Sequence, residues 1–175
     1  MTKVPFYGPK HTLVEMVRLA QGERGEQSLY VRGVTEEIVR GLQPKDYLSE
    51  ILAIRYWAMA KIRYMNDPVH IELIKDPQRI CEEVLRYGTT VADCDEIACC
   101  LGAMALQLGR KAEFVAGGFR SPGHYSHVFV RVKEPRSGAW IVLDPVAGTG
   151  ESGMLRKITT WKIADLDEQP EKAAA

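Results

Sequence analysis

The segment from Asp93 to Gly109 constrains the fold of this chain more than any other. Apolar residues at Ile97, Leu101, Met104, Ala105 and Leu108 share one face of a helix, and most of the other positions between them are also small or apolar. A helix that is apolar on nearly every side must be enclosed by other elements. The pattern therefore predicts a buried central helix with Gly109 as its C-terminal cap.

Helix signals precede this segment and strand signals follow it. We predict helices over 11–21, 35–40 and 46–64 and a helix that runs from Pro77 to the stop at Gly88, then a loop over 89–92. Strands are predicted over 112–116, 126–132 and 140–144. Helices first and antiparallel strands afterwards indicate an α+β fold. We expect an N-terminal helical extension over 1–45, a core domain over 46–165 and a flexible tail over 166–175.

Composition excludes several classes of protein. The chain has 23 Lys+Arg and 23 Asp+Glu, and its pI is near 6.9, which argues against a nucleic-acid binder or a membrane-surface protein. No apolar run approaches the ~18 residues of a membrane span, and no secretion signal is recognisable. We therefore expect a soluble, cytoplasmic protein. A phosphate-binding loop is also missing, so nucleotide binding has no support.

Four cysteines are present, namely Cys81, Cys94, Cys99 and Cys100. They form no C-x-x-C pair and have no His at ligand spacing, so we expect no metal and no cofactor. Cys99 and Cys100 lie within the apolar helix and are interpreted as core residues. Cys81 carries no cationic neighbour in the sequence and is interpreted as a packed or partly exposed thiol.

Cys94 differs because it lies in the first turn of the predicted central helix. The helix dipole and the free N–H groups there favour a thiolate, which is the form of cysteine that acts as a nucleophile. Asp93 and Asp95 either oppose this by raising the pKa of the thiol or serve as helix caps. A cationic partner is therefore needed, and an imidazolium is the usual one.

His127 and Asp144 are the candidate partners of Cys94. If His127 pairs directly with Asp144 in a hairpin, the centre of the hairpin falls between Pro135 and Arg136, within a turn-forming segment. Asp144 would then orient one imidazole nitrogen and direct the other toward the thiol, as in a Cys-His-Asp triad. His124 is the rival histidine, and its place in a loop suggests that it lines or gates the cleft.

These motifs resemble the transglutaminase-like superfamily, which has a papain-like cysteine protease fold. The resemblance is carried by three segments: Ala92-Asp93-Cys94-Asp95-Glu96 with its helix, Ser126-His127-Val128-Phe129-Val130, and Trp140-Ile141-Val142-Leu143-Asp144-Pro145. The upstream segment Ile62-Arg63-Tyr64, with Asp67-Pro68 and Ile71-Glu72-Leu73, is similar to small phage- and prophage-encoded members. The resemblance implies Cys94 as nucleophile, His127 as general base and acid, and Asp144 as the residue that orients His127.

The resemblance implies chemistry on an amide carbonyl through a thioester on Cys94. Transfer of the acyl group to water would make the protein a hydrolase of a protein or peptide amide, and transfer to an amine would make it a transglutaminase. A third reading is a catalytically idle phage virion or assembly component with a structural partner. The small size and the phage-like resemblance favour hydrolysis.

Overall fold

The structure is a computed structural model that describes residues 2–3, 9–66, 73–119, 121, 123–145 and 160–166. The helices are α1 (Pro9–Gln21), α2 (Leu29–Val39), α3 (Tyr47–Lys61), α4 (Pro77–Tyr87) and α5 (Cys94–Gln107). The strands are β1 (Thr2–Lys3), β2 (Ile62–Tyr64), β3 (Leu73–Ile74), β4 (Thr90–Ala92), β5 (Ala112–Gly118), β6 (His127–Lys133), β7 (Trp140–Leu143) and β8 (Thr160–Asp165). None of the helices within these ranges has the length and apolarity needed to cross a membrane.

Helix α5 is the buried centre of the fold, as its sequence predicts. Every residue from Asp95 to Ala105 is buried, and α1, α2, α3, α4 and β6 all pack around the helix. Gly102 permits the close approach of α5 to the sheet, since a Cβ built there would lie 2.9 Å from side-chain atoms of both Phe114 and Leu166. Most core residues form one cluster centred on this helix.

Four strands form an antiparallel sheet in the order β7-β6-β5-β8. Alternate residues of β6, Val128, Val130 and Val132, belong to the cluster around α5. A smaller cluster of Val115, Phe129 and Val142 covers the opposite face. The predicted α+β fold, with a Cys-bearing central helix against an antiparallel sheet, is confirmed.

Several helix boundaries follow the signals in the sequence. Asp46 caps α3, Pro77 lies in the first turn of α4, and Gly88 ends α4 with a φ of 81°. The predicted start of the second helix at Thr35 is wrong, because α2 begins at Leu29. Ser28 accepts a hydrogen bond from the N–H of Tyr30 and caps the helix there.

The predictions of a helix over 62–64 and of a loop over 89–92 are wrong. The helix predicted to reach residue 64 ends at Lys61, and the predicted loop contains β4. β2 and β4 pair in parallel, with Ile62 opposite Thr90 and Tyr64 opposite Ala92. Each strand has only three residues, so neither carries a periodic signal of its own, and the pairing that defines them is non-local.

Residues at the two ends of the chain join the same core. Leu13, Met16 and Val17 of α1 and Val31 of α2 lie in the cluster around α5. Strand β8, which the sequence analysis did not identify, pairs with β5, and Leu166 after it is buried. The tail predicted over 166–175 lies outside the described residues except for Leu166, as do Asp67-Pro68 and Ile71-Glu72.

Candidate active site

Helix α5 begins at Cys94 because Asp93 and Glu96 form a capping box. The Asp93 side chain accepts a hydrogen bond from the N–H of Glu96, and the Glu96 side chain accepts one from the N–H of Asp93, both at 3.2 Å. Of the two roles considered for Asp93, helix capping is therefore confirmed. The box fixes the start of the helix and so places the Cys94 side chain at the end of the sheet.

The buried residue Lys75 connects the first turn of α5 to neighbouring elements through hydrogen bonds. The N–H of Lys75 donates to Glu96 at 2.7 Å, while the Lys75 ammonium contacts Glu83 at 3.1 Å and the carbonyl of Val91 at 2.6 Å. Lys75 is only 3% exposed. This network ties α4, β4 and the start of α5 together, so the chain leading into Cys94 is held on both sides.

His127 and Asp144 lie together, although not in the predicted register. Nε2 of His127 is 2.5 Å from Oδ2 of Asp144. The pairing of β6 with β7 places Val130 opposite Leu143, so direct pairing of His127 with Asp144 is wrong by two residues. A shift of two preserves the face on which a side chain lies, and the two residues meet diagonally.

The shift comes from the turn between β6 and β7. The N–H of Glu134 donates to the carbonyl of Ala139, and that of Gly138, which has a φ of 71°, donates back to Glu134. The Glu134 carboxylate also accepts hydrogen bonds from the N–H groups of Arg136 and Ser137. These contacts place the centre of the turn between Arg136 and Ser137, one residue later than predicted.

The three predicted site residues share one small cleft. Cys94 lies at the start of α5, His127 at the start of β6 and Asp144 directly after β7, and all three line this cleft. The imidazole is mostly buried, and its centroid is 6.3 Å from the ring centroid of Phe119 and 6.3 Å from that of Phe129. His124 is exposed and lines a larger cavity on which Cys94 and His127 also open.

The surroundings of Cys94 oppose ionisation of the thiol. Burial raises the pKa of Cys94 to about 12, and the negative charges of Asp95 and Asp93 act in the same direction. The backbone N–H groups of Val128 and Asp95 lower the pKa but do not compensate for these effects. For the isolated thiol, burial and two carboxylates therefore outweigh the contribution of the helix dipole, which agrees with the prediction that a cationic partner is needed.

Tyr64, to which the sequence analysis assigned no role, is close enough to this site to feel its charges. It lies opposite Ala92 in the parallel pair β2–β4, and its hydroxyl donates to Oδ1 of Asn66 at 2.8 Å. Partial burial raises the pKa of Tyr64 to about 12, and the negative charges of Asp93, Asp95 and Asp144 add to this. The phenol therefore stays neutral near Cys94. Only the non-local pairing of β2 with β4 brings it there.

The other cysteines occupy the core. Cys81, Cys99 and Cys100 are all fully buried, which confirms the interpretation of Cys99 and Cys100 as packing residues. In the ranges that the structure covers, no three His, Cys, Asp or Glu side chains converge as metal ligands would.

Comparison with known proteins identifies the family of this chain. A family model described as the transglutaminase-like superfamily matches residues 32–145, more than half of the chain. The chain belongs to the transglutaminase-like superfamily. Cys94, His127 and Asp144 all lie within the matched region, whereas α1 and β8 lie outside it. No curated protein matches the chain in sequence at a significant level.

Two solved structures share the fold of this superfamily member. One is described as a "putative protease" from Parabacteroides distasonis, with a TM-score of 0.59, 17% identity and 90% of the present chain covered. The other is described as a "putative cysteine protease" from Cytophaga hutchinsonii, with a TM-score of 0.54, 14% identity and 92% of the chain covered. The present chain spans only 29% of the first protein and 54% of the second.

Proposed function

We propose that this superfamily member is a cysteine-dependent hydrolase of protein or peptide amides that works through a thioester on Cys94. The observation that carries the proposal is the 2.5 Å contact between His127 and Asp144, in a cleft that both residues share with Cys94. The descriptions of the two structural neighbours as proteases agree with it.

In the first step His127 acts as general base. A carboxylate accepts a hydrogen bond from Nε2, so in the neutral imidazole the proton is on Nε2 and the lone pair is on Nδ1. Because burial keeps Cys94 protonated, the thiol proton moves to Nδ1 as Sγ bonds to the carbonyl carbon. The backbone N–H of Cys94, in the first turn of α5, is placed to donate to the developing oxyanion.

The next steps return the proton and restore the thiol. The imidazolium gives its Nδ1 proton to the leaving amine, the C–N bond breaks, and a thioester remains on Cys94. Water then attacks the thioester carbon and gives a proton to Nδ1. As the C–S bond breaks and a carboxylic acid is released, the Nδ1 proton moves to Sγ and restores the thiol. Asp144 stabilises the imidazolium in both halves of the cycle.

A cleavage assay with a matched cysteine control tests the proposal. The protein is incubated with casein and a dansylated primary amine, and new amino termini and fluorescent protein are both measured. Cys94→Ala is compared with Cys99→Ala, which removes a buried thiol from the same helix. We expect new amino termini with the wild type and with Cys99→Ala, and none with Cys94→Ala.

The other outcomes distinguish the alternatives. Amine incorporation without new amino termini would favour a protein-glutamine acyl transferase instead of a hydrolase. Cleavage that survives Cys94→Ala would contradict the role of Cys94. If assembly and infectivity both survive Cys94→Ala in a phage system, that result would favour the structural role considered for a phage component.

A further inference from the structure

A cavity of about 460 Å³ opens beside the candidate nucleophile. Cys94 and His127 lie at its edge, and Ala116 and Val128 of the sheet form one wall. Residues of α1 form another part of the lining, called here the α1 wall. This volume lies within the range of pockets that take small-molecule ligands, and it is ample for one large side chain.

The α1 wall consists of Thr12, Leu13 and Met16. Leu13 is 4% exposed and Met16 is fully buried, so both are held in place by the core. Thr12 is only partly buried and is the wall residue that can be changed with least damage to the core. The family match begins at residue 32, so this wall lies outside the matched region.

The chemistry of the cavity favours an apolar occupant and disfavours an anionic one. Leu13, Met16 and Val128 present hydrocarbon surface, and Tyr125 adds an aromatic ring. Asp95 is the carboxylate among the described lining residues, which include no Lys or Arg. An anionic side chain would therefore meet repulsion without a compensating cation.

We propose that the cavity binds a large apolar side chain, aromatic or long aliphatic, on the acyl portion of the substrate, and that Thr12 of α1 is a specificity-determining residue. This inference rests on the proposed function, because it places the bound side chain next to the carbonyl that Cys94 attacks. Contact with α1 makes the N-terminal helix part of the substrate-binding surface.

Two iodoacetamides with the same reactive group test the proposal. Iodoacetamide reports the reactivity of the thiol alone, and N-(2-phenylethyl)iodoacetamide adds an aromatic group that the cavity can hold. The measured quantity is the ratio of the two alkylation rates at Cys94, followed by peptide mass spectrometry. We expect the phenylethyl reagent to react at least tenfold faster in the wild type.

Substitutions in α1 test whether the difference between the two alkylation rates arises in the cavity. Thr12→Trp fills the space next to Cys94 and should reduce the ratio to near one, and the smaller Thr12→Leu should give an intermediate ratio. Arg18→Trp adds the same ring to α1 at a side chain that is 75% exposed, and it should keep the wild-type ratio. A wild-type ratio near one, or equal ratios in Thr12→Trp and Arg18→Trp, would overturn the proposal.

A binding measurement separates this proposal from the catalytic one. Cys94→Ala is titrated with N-acetylphenylalaninamide and, in parallel, with N-acetylglycinamide, and amide NMR shifts are recorded. Shifts at Val128 and Ala116 with the phenylalanine compound alone support the pocket even if Cys94 proves unreactive. Equal shifts with both compounds, or none with either, would contradict the pocket whatever the reactivity of Cys94.

Discussion

Nε2 of His127 lies 2.5 Å from Oδ2 of Asp144, although the two residues are not opposite each other in the β6–β7 hairpin. In the proposed mechanism this contact holds the neutral imidazole in the tautomer that leaves Nδ1 as the base. Asp144→Asn should remove this preference, because an amide can also donate to Nε2. We expect acylation of Cys94 to slow by about 10²–10⁴-fold.

The tautomer can be observed directly in this variant. The ¹⁵N NMR spectrum of the wild type should show the neutral His127 ring protonated at Nε2, and that of Asp144→Asn should show the other tautomer or a mixture. Asp165 lies on the distant strand β8 and forms an ion pair with Lys111. Asp165→Asn is the control and should leave the His127 signals unchanged. An Asp144→Asn variant with wild-type tautomer and rate would refute the orienting role.

Asp95 should slow the reaction of Cys94 with simple electrophiles. Burial raises the pKa of Cys94 to about 12, and the Asp95 carboxylate is the next largest contribution in the same direction. Asp95→Asn removes that charge, so the pKa should fall and alkylation at pH 8 should become several-fold faster. Iodoacetamide labelling across a pH series, read by peptide mass spectrometry, measures this shift. If the pH dependence of the labelling rate is unchanged in Asp95→Asn, the Asp95 charge does not raise the pKa of Cys94.

Glu96 should make the protein less stable as the pH rises. Burial raises the pKa of Glu96 to about 7 from an ordinary 4.5, and Asp93 adds to the effect. Between these values the folded state holds a proton that the unfolded state has lost, so the free energy of unfolding falls as the pH increases. Above about pH 8 the full loss, on the order of 3 kcal/mol, is reached.

The comparison with Glu96→Gln isolates this contribution. Urea unfolding of both proteins at pH 5 and pH 8 gives the difference between them at each pH, in which other titrating groups cancel. We expect the wild type to lose about 2 kcal/mol relative to Glu96→Gln between the two pH values. A difference that stays constant with pH would contradict a raised pKa at Glu96.

Two glycines in helices should respond in opposite ways to alanine. At Gly102 a Cβ would lie 2.9 Å from Phe114 and Leu166, so Gly102→Ala should destabilise the protein by about 1–3 kcal/mol through overpacking. At Gly33 in α2 nothing lies within 4 Å, and Gly33→Ala should stabilise by about 0.5–1 kcal/mol. Thermal unfolding measures both. Similar effects at the two positions would argue against the close packing of α5 on the sheet.

The parts of the fold with a strong local pattern could be predicted from the sequence. The central helix was evident because apolar residues cover almost every side of it, and Asp46, Pro77 and Gly88 marked helix ends by their own backbone chemistry. The pairing of β2 with β4 was missed because strands of three residues carry no period. The same omission left Tyr64 without a role.

The candidate site was predicted in part for a similar reason. Strand parity is enough to place His127 and Asp144 on one face, and parity survived the error of two residues in the register. The register itself depends on the hydrogen bonds that Glu134 makes within the turn, which composition does not specify. The wall formed by α1 beside Cys94 depends on tertiary packing across the core and had no local signal.

The most direct test of the account is single-turnover acylation by p-nitrophenyl acetate at pH 7, with the modified cysteine identified by peptide mass spectrometry. The account predicts that Cys94 is acetylated while the buried Cys81, Cys99 and Cys100 are not. His127→Ala should reduce the rate by about 10²–10⁴-fold, as expected when a general base is lost. Acetylation of Cys94 at the same rate in His127→Ala, or acetylation of the other thiols instead, would contradict the account.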